Sequence, residues 1–205
     1  MSDLSETIIA HYERHAAYWD ADRRAAAWND RKWHERFVAL LPVGAAVLDL
    51  GCGGGSPVAS NLVGHGMRVT GVDSSPNLIA LCRERMPKQE WIVADMRSLQ
   101  LGRTFDGILA WDSFFHFSPD THRAMFAVFA AHADRDTVLM FNTGPGFGEA
   151  IGSYRGEPLY HASLDHAEYR QLLARHGFHI VDQVTEDPEA GSRTVWLMQA
   201  ADIVR

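Results

Sequence analysis

A glycine-rich turn between a mainly apolar run and a helical segment constrains this chain more than any other feature of its sequence. Residues 46–50 are the apolar run, residues 51–55 include four glycines, and Ser56 opens a segment with helical spacing. A strand, a turn and a helix in this order form the first half of a βαβ unit. A second apolar run, residues 67–72, ends at Asp73, which lies 22 residues after the first glycine of the turn. This separation is typical of an acidic side chain that binds the two hydroxyls of a ribose, so the pattern predicts a nucleoside-binding site.

The turn departs from the dinucleotide-binding fingerprint at two positions. Ser56 stands where that fingerprint has its third glycine, and Asp49 lies two residues before Gly51. A carboxylate at the end of the strand would repel a pyrophosphate and attract a cation. The segment Val47–Gly55 resembles the first motif of the class I S-adenosylmethionine-dependent methyltransferases, hydrophobic-hydrophobic-Asp-hydrophobic-Gly-x-Gly-x-Gly. The resemblance implies S-adenosylmethionine, with its ammonium and sulfonium cations, as the cofactor and methyl transfer as the activity.

The same resemblance implies which residues contact the cofactor. Asp95 follows predicted strand 90–94 and would accept a hydrogen bond from the adenine amino group while Met96 packs on the ring. Asp95 equally fits an aspartate that caps the helical turn after it, so both interpretations stay open. Trp19 would close over the cofactor from an N-terminal helix, or else belong to a core-facing stripe of that helix. The full set of candidate cofactor-binding residues is Asp49, Gly51, Cys52, Gly53, Asp73, Ser74, Asp95, Met96, Trp111 and Trp19.

The candidate catalytic residues lie beyond the predicted fourth strand and in two other segments. In an open α/β sheet, ligands bind outside the carboxyl ends of the strands, so residues 111–116 are expected to border the reacting groups. Methyl transfer needs a base only when the nucleophile starts protonated. His116 is the first candidate for that base, followed by His161 and Tyr12. His116 also fits a histidine that hydrogen-bonds a loop backbone, and Tyr12 fits a core residue of its helix.

The order of periodic segments predicts the fold. Helices are expected at 4–19, 28–41, 57–64, 76–86, 119–132 and 165–176, and strands at 46–50, 67–72, 90–94, 105–111, 137–141, 178–184 and 193–198. The last two strands are joined by a turn at 187–191, which is too short for a crossover helix, so this pair is expected to be antiparallel. The prediction is an α/β fold with a Rossmann-like, doubly wound, seven-stranded sheet, its last strand antiparallel, and an N-terminal helical extension. The methyltransferase resemblance implies the same architecture.

The 205 residues, 46% of them hydrophobic, are expected to form a single methyltransferase domain over 1–205. Residues 1–42 form its N-terminal helical cap in this interpretation. Residues 142–164 form an irregular, lid-like insertion, because glycine joints alternate there with aromatic and acidic residues. The Trp-Asp-Ser-Phe-Phe-His segment at 111–116 and the Tyr-His-Ala-Ser-Leu segment at 160–164 resemble a group of small bacterial class I methyltransferases. That second resemblance implies no defined substrate.

Charge and composition restrict the partners. The formal net charge of −7 argues against a nucleic-acid partner, so a small-molecule methyl acceptor is expected. The sequence has no apolar run near 18 residues and no signal-like start, so we expect no membrane association and a cytoplasmic location. We expect the protein to be a monomer or a homodimer. No metal site is predicted, because none of the eleven histidines has a His-Glu-x-x-His or Cys-x-x-Cys neighbourhood. His11 and His15 share a helical face one turn apart and could bind a metal, but a solvated or substrate-facing helix is the simpler interpretation. His122 and His132 are expected to be exposed.

Two other functions stay open at this stage. A NAD-dependent oxidoreductase would begin with the same βαβ unit, although Asp49 and Ser56 disfavour it. A non-catalytic S-adenosylmethionine-binding module would keep the glycine turn and Asp73 but would lack an acceptor cavity. A nucleotide titration separates the first alternative from a methyltransferase, and the presence of an acceptor cavity argues against the second.

Overall fold

The structure is a computed structural model that describes residues 2–201, with side chains from residue 4 onward. The helices are α1 (Ser2–Glu6), α2 (Ile8–Ala25), α3 (Arg31–Ala39), α4 (Val58–Gly64), α5 (Pro76–Arg85), α6 (Pro119–His132) and α7 (His166–Arg175). The strands are β1 (Ala46–Leu50), β2 (Arg68–Asp73), β3 (Glu90–Val93), β4 (Phe105–Ala110), β5 (Ala133–Thr143), β6 (Gly148–Tyr154), β7 (Glu157–Ser163), β8 (Phe178–Asp187) and β9 (Arg193–Ala200).

Seven of the strands form one sheet in the order β3-β2-β1-β4-β5-β9-β8. The pairs among β1 to β5 are parallel, and β9 is antiparallel to both of its neighbours. The predicted seven-stranded sheet with an antiparallel last strand is therefore confirmed. The chain winds outward from β1 to β3 and then returns to place β4 on the other side of β1. Such a switch point opens a crevice at the carboxyl ends of β1 and β4, where ligands bind in open α/β sheets.

Local sequence explains where the helices of the sheet begin. Ser75 Oγ accepts a hydrogen bond from the Leu78 N–H (3.1 Å), and Pro76 occupies the first turn of α5. Ser118 caps α6 in the same way, with Pro119 after it. A serine cap followed by proline satisfies a free backbone N–H and presets the helical backbone, so these helix starts agree with the prediction.

The side chains of the strands alternate between two apolar clusters, one on each face of the sheet. Leu139 and Phe141 of β5 belong to the cluster that α6 and α7 cover. Val138 and Met140 belong to the other cluster, together with Phe37 of α3 and buried residues of α4 and α5. This alternation is the period of two that a strand imposes, and burial on both faces explains why the strands read as nearly continuous apolar runs.

Segment 142–164 was expected to be irregular, and the structure corrects this. β6 and β7 form a separate antiparallel pair in which Tyr154 lies opposite Glu157. Arg155 and Gly156 form its two-residue loop, and both have positive φ (54° and 83°). Two consecutive positive φ values define the hairpin turn whose usual signature is Asn-Gly or Asp-Gly. The hairpin could not be predicted from the sequence, because arginine occupies the first loop position and most side chains of β6 are exposed.

Two further expectations are wrong in detail. The predicted helix 4–19 is divided at Thr7 into α1 and α2, where the Thr7 hydroxyl and N–H both donate to Leu4 O. His122 and His132, expected to be exposed, are 0% and 1% exposed. His122 Nδ1 is 2.8 Å from the Tyr169 hydroxyl, and the Leu101 N–H donates to His132 Nε2 (3.1 Å). Each buried imidazole has polar partners from distant segments, which the sequence of α6 does not reveal.

Candidate active site

The glycine turn is held against the strands by backbone hydrogen bonds. The N–H groups of Gly51 and Cys52 both donate to Val72 O, at 2.8 and 3.1 Å. Gly51 has φ 75°, and a Cβ placed on it would lie 2.3 Å from Ser113 Cβ. Only glycine therefore fits at position 51, for both backbone conformation and space. The close approach brings the turn after β1 against the segment after β4.

Asp73 lies at the end of β2, beside this turn. Its carboxylate accepts hydrogen bonds from the Gly53 N–H and the Ser75 N–H, both at 2.9 Å. Burial raises the pKa of Asp73, although these backbone hydrogen bonds oppose the rise. Each carboxylate oxygen has a second lone pair, so Asp73 can still accept from two ligand hydroxyls.

Asp49 is buried next to the turn, at 2% exposure. No described residue forms a hydrogen bond with its Oδ2 atom. Burial, reinforced by the nearby charge of Asp73, raises the pKa of Asp49 to about 7. A buried carboxylate with a free oxygen is the feature that a cationic ligand would stabilise.

A cavity runs from the glycine turn along the ends of β2 and β3 under α2. Nine of the candidate residues line it, namely Tyr12, Trp19, Gly51, Gly53, Asp73, Ser74, Asp95, Met96 and His116. Sequence reasoning missed its apolar walls, which include Ile8, Ile9, Leu78 and Phe117. Ile8 and Ile9 follow the break at Thr7, and their position over the sheet depends on tertiary packing that helical periodicity does not specify.

Three candidates lie beside this cavity. Asp49, Cys52 and Trp111 line a smaller adjoining cavity together with Trp19 and Arg23. The indole N–H of Trp111 donates to a carboxylate oxygen of Asp30 (2.7 Å). Trp111 is thereby oriented by the N-terminal region of the chain.

Asp95 caps the helical turn that follows it, which is one of the two roles that the sequence allowed. Its carboxylate accepts from the Arg97 N–H (2.9 Å) and pairs with the Arg97 guanidinium. Burial tends to raise the pKa of Asp95, but Arg97 holds it below its usual value. Asp95 also lines the main cavity, so capping and ligand binding are compatible at this residue.

Tyr12 and His116 form a hydrogen-bonded pair with 2.7 Å between the hydroxyl and Nε2. His116 Nδ1 lies 2.9 Å from Tyr160 O, and a carbonyl oxygen can only accept, so Nδ1 carries the proton of the neutral ring. Nε2 is then the acceptor, and the Tyr12 hydroxyl donates to it. Burial lowers the pKa of His116 to about 3 and raises the pKa of Tyr12. Both groups are therefore neutral near pH 7.

A second cavity of about 500 Å³ adjoins the first, and Tyr12, Trp19 and His116 line both. The hairpin contributes His161, whose ring centre is 4.9 Å from that of His116. Burial lowers the pKa of His161 as well. The three candidate catalytic residues Tyr12, His116 and His161 thus lie together at the junction of the two cavities.

An ion pair that sequence reasoning missed forms one wall of the second cavity. Arg193 donates to both carboxylate oxygens of Asp112, at 2.7 and 2.8 Å, and Asn142 donates to Asp112 as well (2.9 Å). Burial tends to raise the pKa of Asp112, but the Arg193 guanidinium leaves it below its usual value. Arg193 follows Asp112 by 81 residues, and only the antiparallel return of β9 beside β5 brings the two together.

The known proteins that resemble this chain are methyltransferases. The family model described as "Methyltransferase domain" matches residues 47–135. The trans-aconitate 2-methyltransferase of Escherichia fergusonii is 42% identical over 67 residues, which are 31% of this chain and 26% of that protein. The trans-aconitate 2-methyltransferase of Azoarcus sp. is 30% identical over 132 residues, 63% of this chain and 49% of that protein. The chain thus spans half or less of the length of these curated relatives.

A solved structure extends the similarity to nearly the whole fold. The 1,6-didemethyltoxoflavin-N1-methyltransferase of Burkholderia thailandensis, with 1,6-didemethyltoxoflavin and S-adenosylhomocysteine bound, has a TM-score of 0.72 and 22% sequence identity. The similarity covers 97% of this chain and 88% of that chain. Residues 47–135 thus match a methyltransferase domain, and the chain shares its fold with an S-adenosylmethionine-dependent methyltransferase of known structure.

Proposed function

We propose that this protein transfers the methyl group of S-adenosylmethionine to a small-molecule acceptor bound in the second cavity. The observation that carries the proposal is the Tyr12–His116 pair, which stands where the two cavities meet. A methyl donor in one cavity and an acceptor in the other would both contact this pair.

The residues of the first cavity fit S-adenosylmethionine. The bound cofactor supplies a methyl group that its sulfonium already activates. Asp73 accepts from the ribose hydroxyls, and the buried, unpaired Oδ2 of Asp49 places a negative charge near the cationic part. Asp95 and Met96 hold the adenine, Asp95 through the lone pairs that Arg97 leaves free.

Alignment is the main task of the remaining residues, because the donor is already activated. Holding two reactants in line can contribute several kcal/mol, roughly 7–11 in favourable cases. The Tyr12 hydroxyl orients the nucleophile by accepting its hydrogen bond, while donating its own hydrogen to His116 Nε2. With a pKa near 3, His116 is too weak a base to remove the proton in advance. The proton passes through Tyr12 to His116 only as the nucleophile becomes acidic in the transition state.

The second cavity suits a metabolite and not a macromolecule. Its volume is about 500 Å³, and its walls include Phe115, Leu159 and the ring of His161. The Arg193 charge is already paired with Asp112, so the described residues that line the cavity include no unpaired arginine or lysine for a polyanionic acceptor. An uncharged or amine-bearing acceptor fits these walls better. Assembly as a monomer or homodimer and a cytoplasmic location stay predictions.

The two alternative functions lack support. The family match and the fold are those of methyltransferases, which disfavours a NAD-dependent oxidoreductase. A non-catalytic module would have no use for an acceptor cavity that shares Tyr12 and His116 with the cofactor cavity. None of the helices among residues 2–201 is both long and apolar enough to span a bilayer.

Calorimetry and a methyl-transfer screen over metabolite pools test the proposal. S-adenosylhomocysteine should bind, and Asp73→Ala should weaken it by about 1–3 kcal/mol through loss of charge-assisted hydrogen bonds. His116→Ala and His161→Ala should reduce methyl transfer and leave S-adenosylhomocysteine affinity within about 1 kcal/mol. Tight NAD binding without a response to S-adenosylhomocysteine would refute the cofactor assignment. Full transfer activity in both histidine variants would place the acceptor elsewhere.

A further inference from the structure

Three side chains of the types that bind transition metals meet where α2 contacts the hairpin. His11 and His15 are one turn apart on α2, and Glu157 begins β7. His15 Nε2 is 2.9 Å from Glu157 Oε1, and His11 Nδ1 is 3.4 Å from Glu157 Oε2. One donor atom from each residue lies within 4.8 Å of the other two. Glu157 follows His15 by 142 residues, so spacing in the sequence could not reveal the group.

The upper limit of 4.8 Å between these donor atoms exceeds the ligand spacing of a tetrahedral metal site by about 1.5 Å. Zinc binds histidine nitrogen and carboxylate oxygen at about 2.0–2.2 Å, which separates neighbouring ligand atoms by roughly 3.3 Å. Side-chain rotations that close this difference would bring the three donors onto one ion. Their charge states suit a metal as well. Burial lowers the pKa of His11, and the hydrogen bonds from Arg14 and His15 lower the pKa of Glu157 to about 2.

His11 is the buried member of the cluster, and its ring is held in place by its neighbours. That residue is 2% exposed, and its Nε2 atom has no hydrogen-bond partner among the described residues. The ring is fixed between Tyr12 and Tyr154, with centroids at 5.6 and 5.9 Å. A buried imidazole in a fixed orientation has already lost the rotamer freedom that a metal ligand must lose.

Arg14 is the competing partner of Glu157. Its guanidinium contacts Glu157 Oε2, but the Arg14 side chain is 54% exposed. An exposed arginine can turn into solvent, and surface ion pairs contribute only about 0–1 kcal/mol. Displacing Arg14 is therefore a minor obstacle to an ion at this position.

We propose that His11, His15 and Glu157 bind one divalent transition-metal ion of the zinc class, with water at its open position. The site lies outside both cavities and ties the hairpin to α2. Both elements line the acceptor cavity, α2 through Tyr12 and Trp19 and the hairpin through His161. The ion is a structural link between them, and the assignment does not depend on the proposed methyl transfer.

The test uses the full chain after removal of metal with a chelator. Zinc is titrated calorimetrically, cobalt(II) is followed by its visible absorption, and bound metal is counted by mass spectrometry. The ligand variants are Glu157→Gln, which keeps the side-chain shape, and His15→Ala. Glu35→Gln is the matched control, because Glu35 pairs with Arg31 (3.0 Å) and His65 (3.4 Å) but has only one imidazole beside it.

The expected result is one zinc ion per chain in the unmodified protein and in Glu35→Gln. Glu157→Gln and His15→Ala should each weaken zinc binding by at least about tenfold. Circular dichroism and metal-free melting curves establish that the variants are folded. Zinc affinity unchanged in folded Glu157→Gln, or no stoichiometric zinc in the unmodified protein, would overturn the site. In that event, the group is a network of hydrogen bonds that docks the hairpin.

Discussion

Asp49 has opposite effects on the empty protein and on the proposed complex. Its carboxylate is buried at the end of β1 near Asp73, and burial is the first cause of its raised pKa, about 7. In the empty protein, the ionised form is therefore unfavourable. A sulfonium or ammonium group nearby would stabilise that same form. The positions of Asp49 and Asp73 beside the glycine turn could be predicted from the sequence, because each follows from a local pattern of strand and turn.

Asp49→Asn should change how stability depends on pH. The pKa of about 7 in the folded state exceeds the ordinary value of 3.8 for an aspartate, so the folded state retains a proton that the unfolded chain releases. The stabilisation is complete below about pH 4 and is lost as pH rises through 7, on the order of 2–4 kcal/mol in total. The asparagine variant lacks this loss. Urea unfolding of the cofactor-free proteins at several pH values measures the difference.

The comparison between low and high pH isolates the ionisation from any constant effect of the amide. The unmodified protein should lose stability relative to Asp49→Asn between pH 5 and pH 8. Parallel pH profiles for the two proteins would show that Asp49 ionises without penalty.

The contacts of Arg193 with Asp112 could not be predicted from the sequence, since the 81 intervening residues contain no signal of the pairing.

At the scale of elements, α2 is attached to the sheet layer mainly by polar contacts. Asp20 pairs with Arg85 of α5, which also donates to Gly54 O (2.9 Å). A Cβ at Gly54 would lie 2.1 Å from Asp20 Oδ1, so the helix and the glycine turn fit closely. Glu13 reaches the start of α5 by accepting from Asn77 Nδ2 (2.6 Å). Helix α2 therefore positions the turn as well as covering the cavity.

Asp20→Asn should loosen the glycine turn. Asp20 is 5% exposed, but Arg85 is 28% exposed, so we expect a loss of about 1–2 kcal/mol, below the range for fully buried pairs. S-adenosylhomocysteine affinity should fall too, although Asp20 is not among the residues that line the main cavity. Thermal unfolding and calorimetry give the two values. Glu35→Gln, on an exposed i,i+4 pair, should change stability by less than about 0.5 kcal/mol and leave affinity unchanged.

Elements were predictable where their signals are local. α6 matches its predicted bounds, because Ser118 and Pro119 define its start. The hairpin was not predictable, because it buries little of β6 and its Arg155-Gly156 loop lacks the usual first residue. If Asp20→Asn left the affinity for S-adenosylhomocysteine unchanged, α2 would cover the turn without positioning it.

At the scale of the whole molecule, helix α2 contributes to the site but not to the two apolar clusters. Among the described residues, the two apolar clusters include members of α3 to α7 but none of α1 or α2. The main cavity, in contrast, is lined by Ile8, Ile9, Tyr12 and Trp19 from α2. Segments with few apolar contacts open at lower free energy than the core. Ligand binding should therefore alter the stability of α2 more than that of the sheet.

Hydrogen exchange with and without S-adenosylhomocysteine tests this difference. A ligand at about 100 times its dissociation constant contributes about 2.7 kcal/mol to any opening that releases it, which slows exchange about 100-fold. Amides of α2 should slow to this extent because α2 must move for the ligand to leave. α7 is the internal control, since it packs on β8 away from the cavity, and its local opening should not change. Equal slowing in both helices would mean that α2 opens only with the whole molecule, and unchanged exchange in α2 would mean that it does not enclose the ligand.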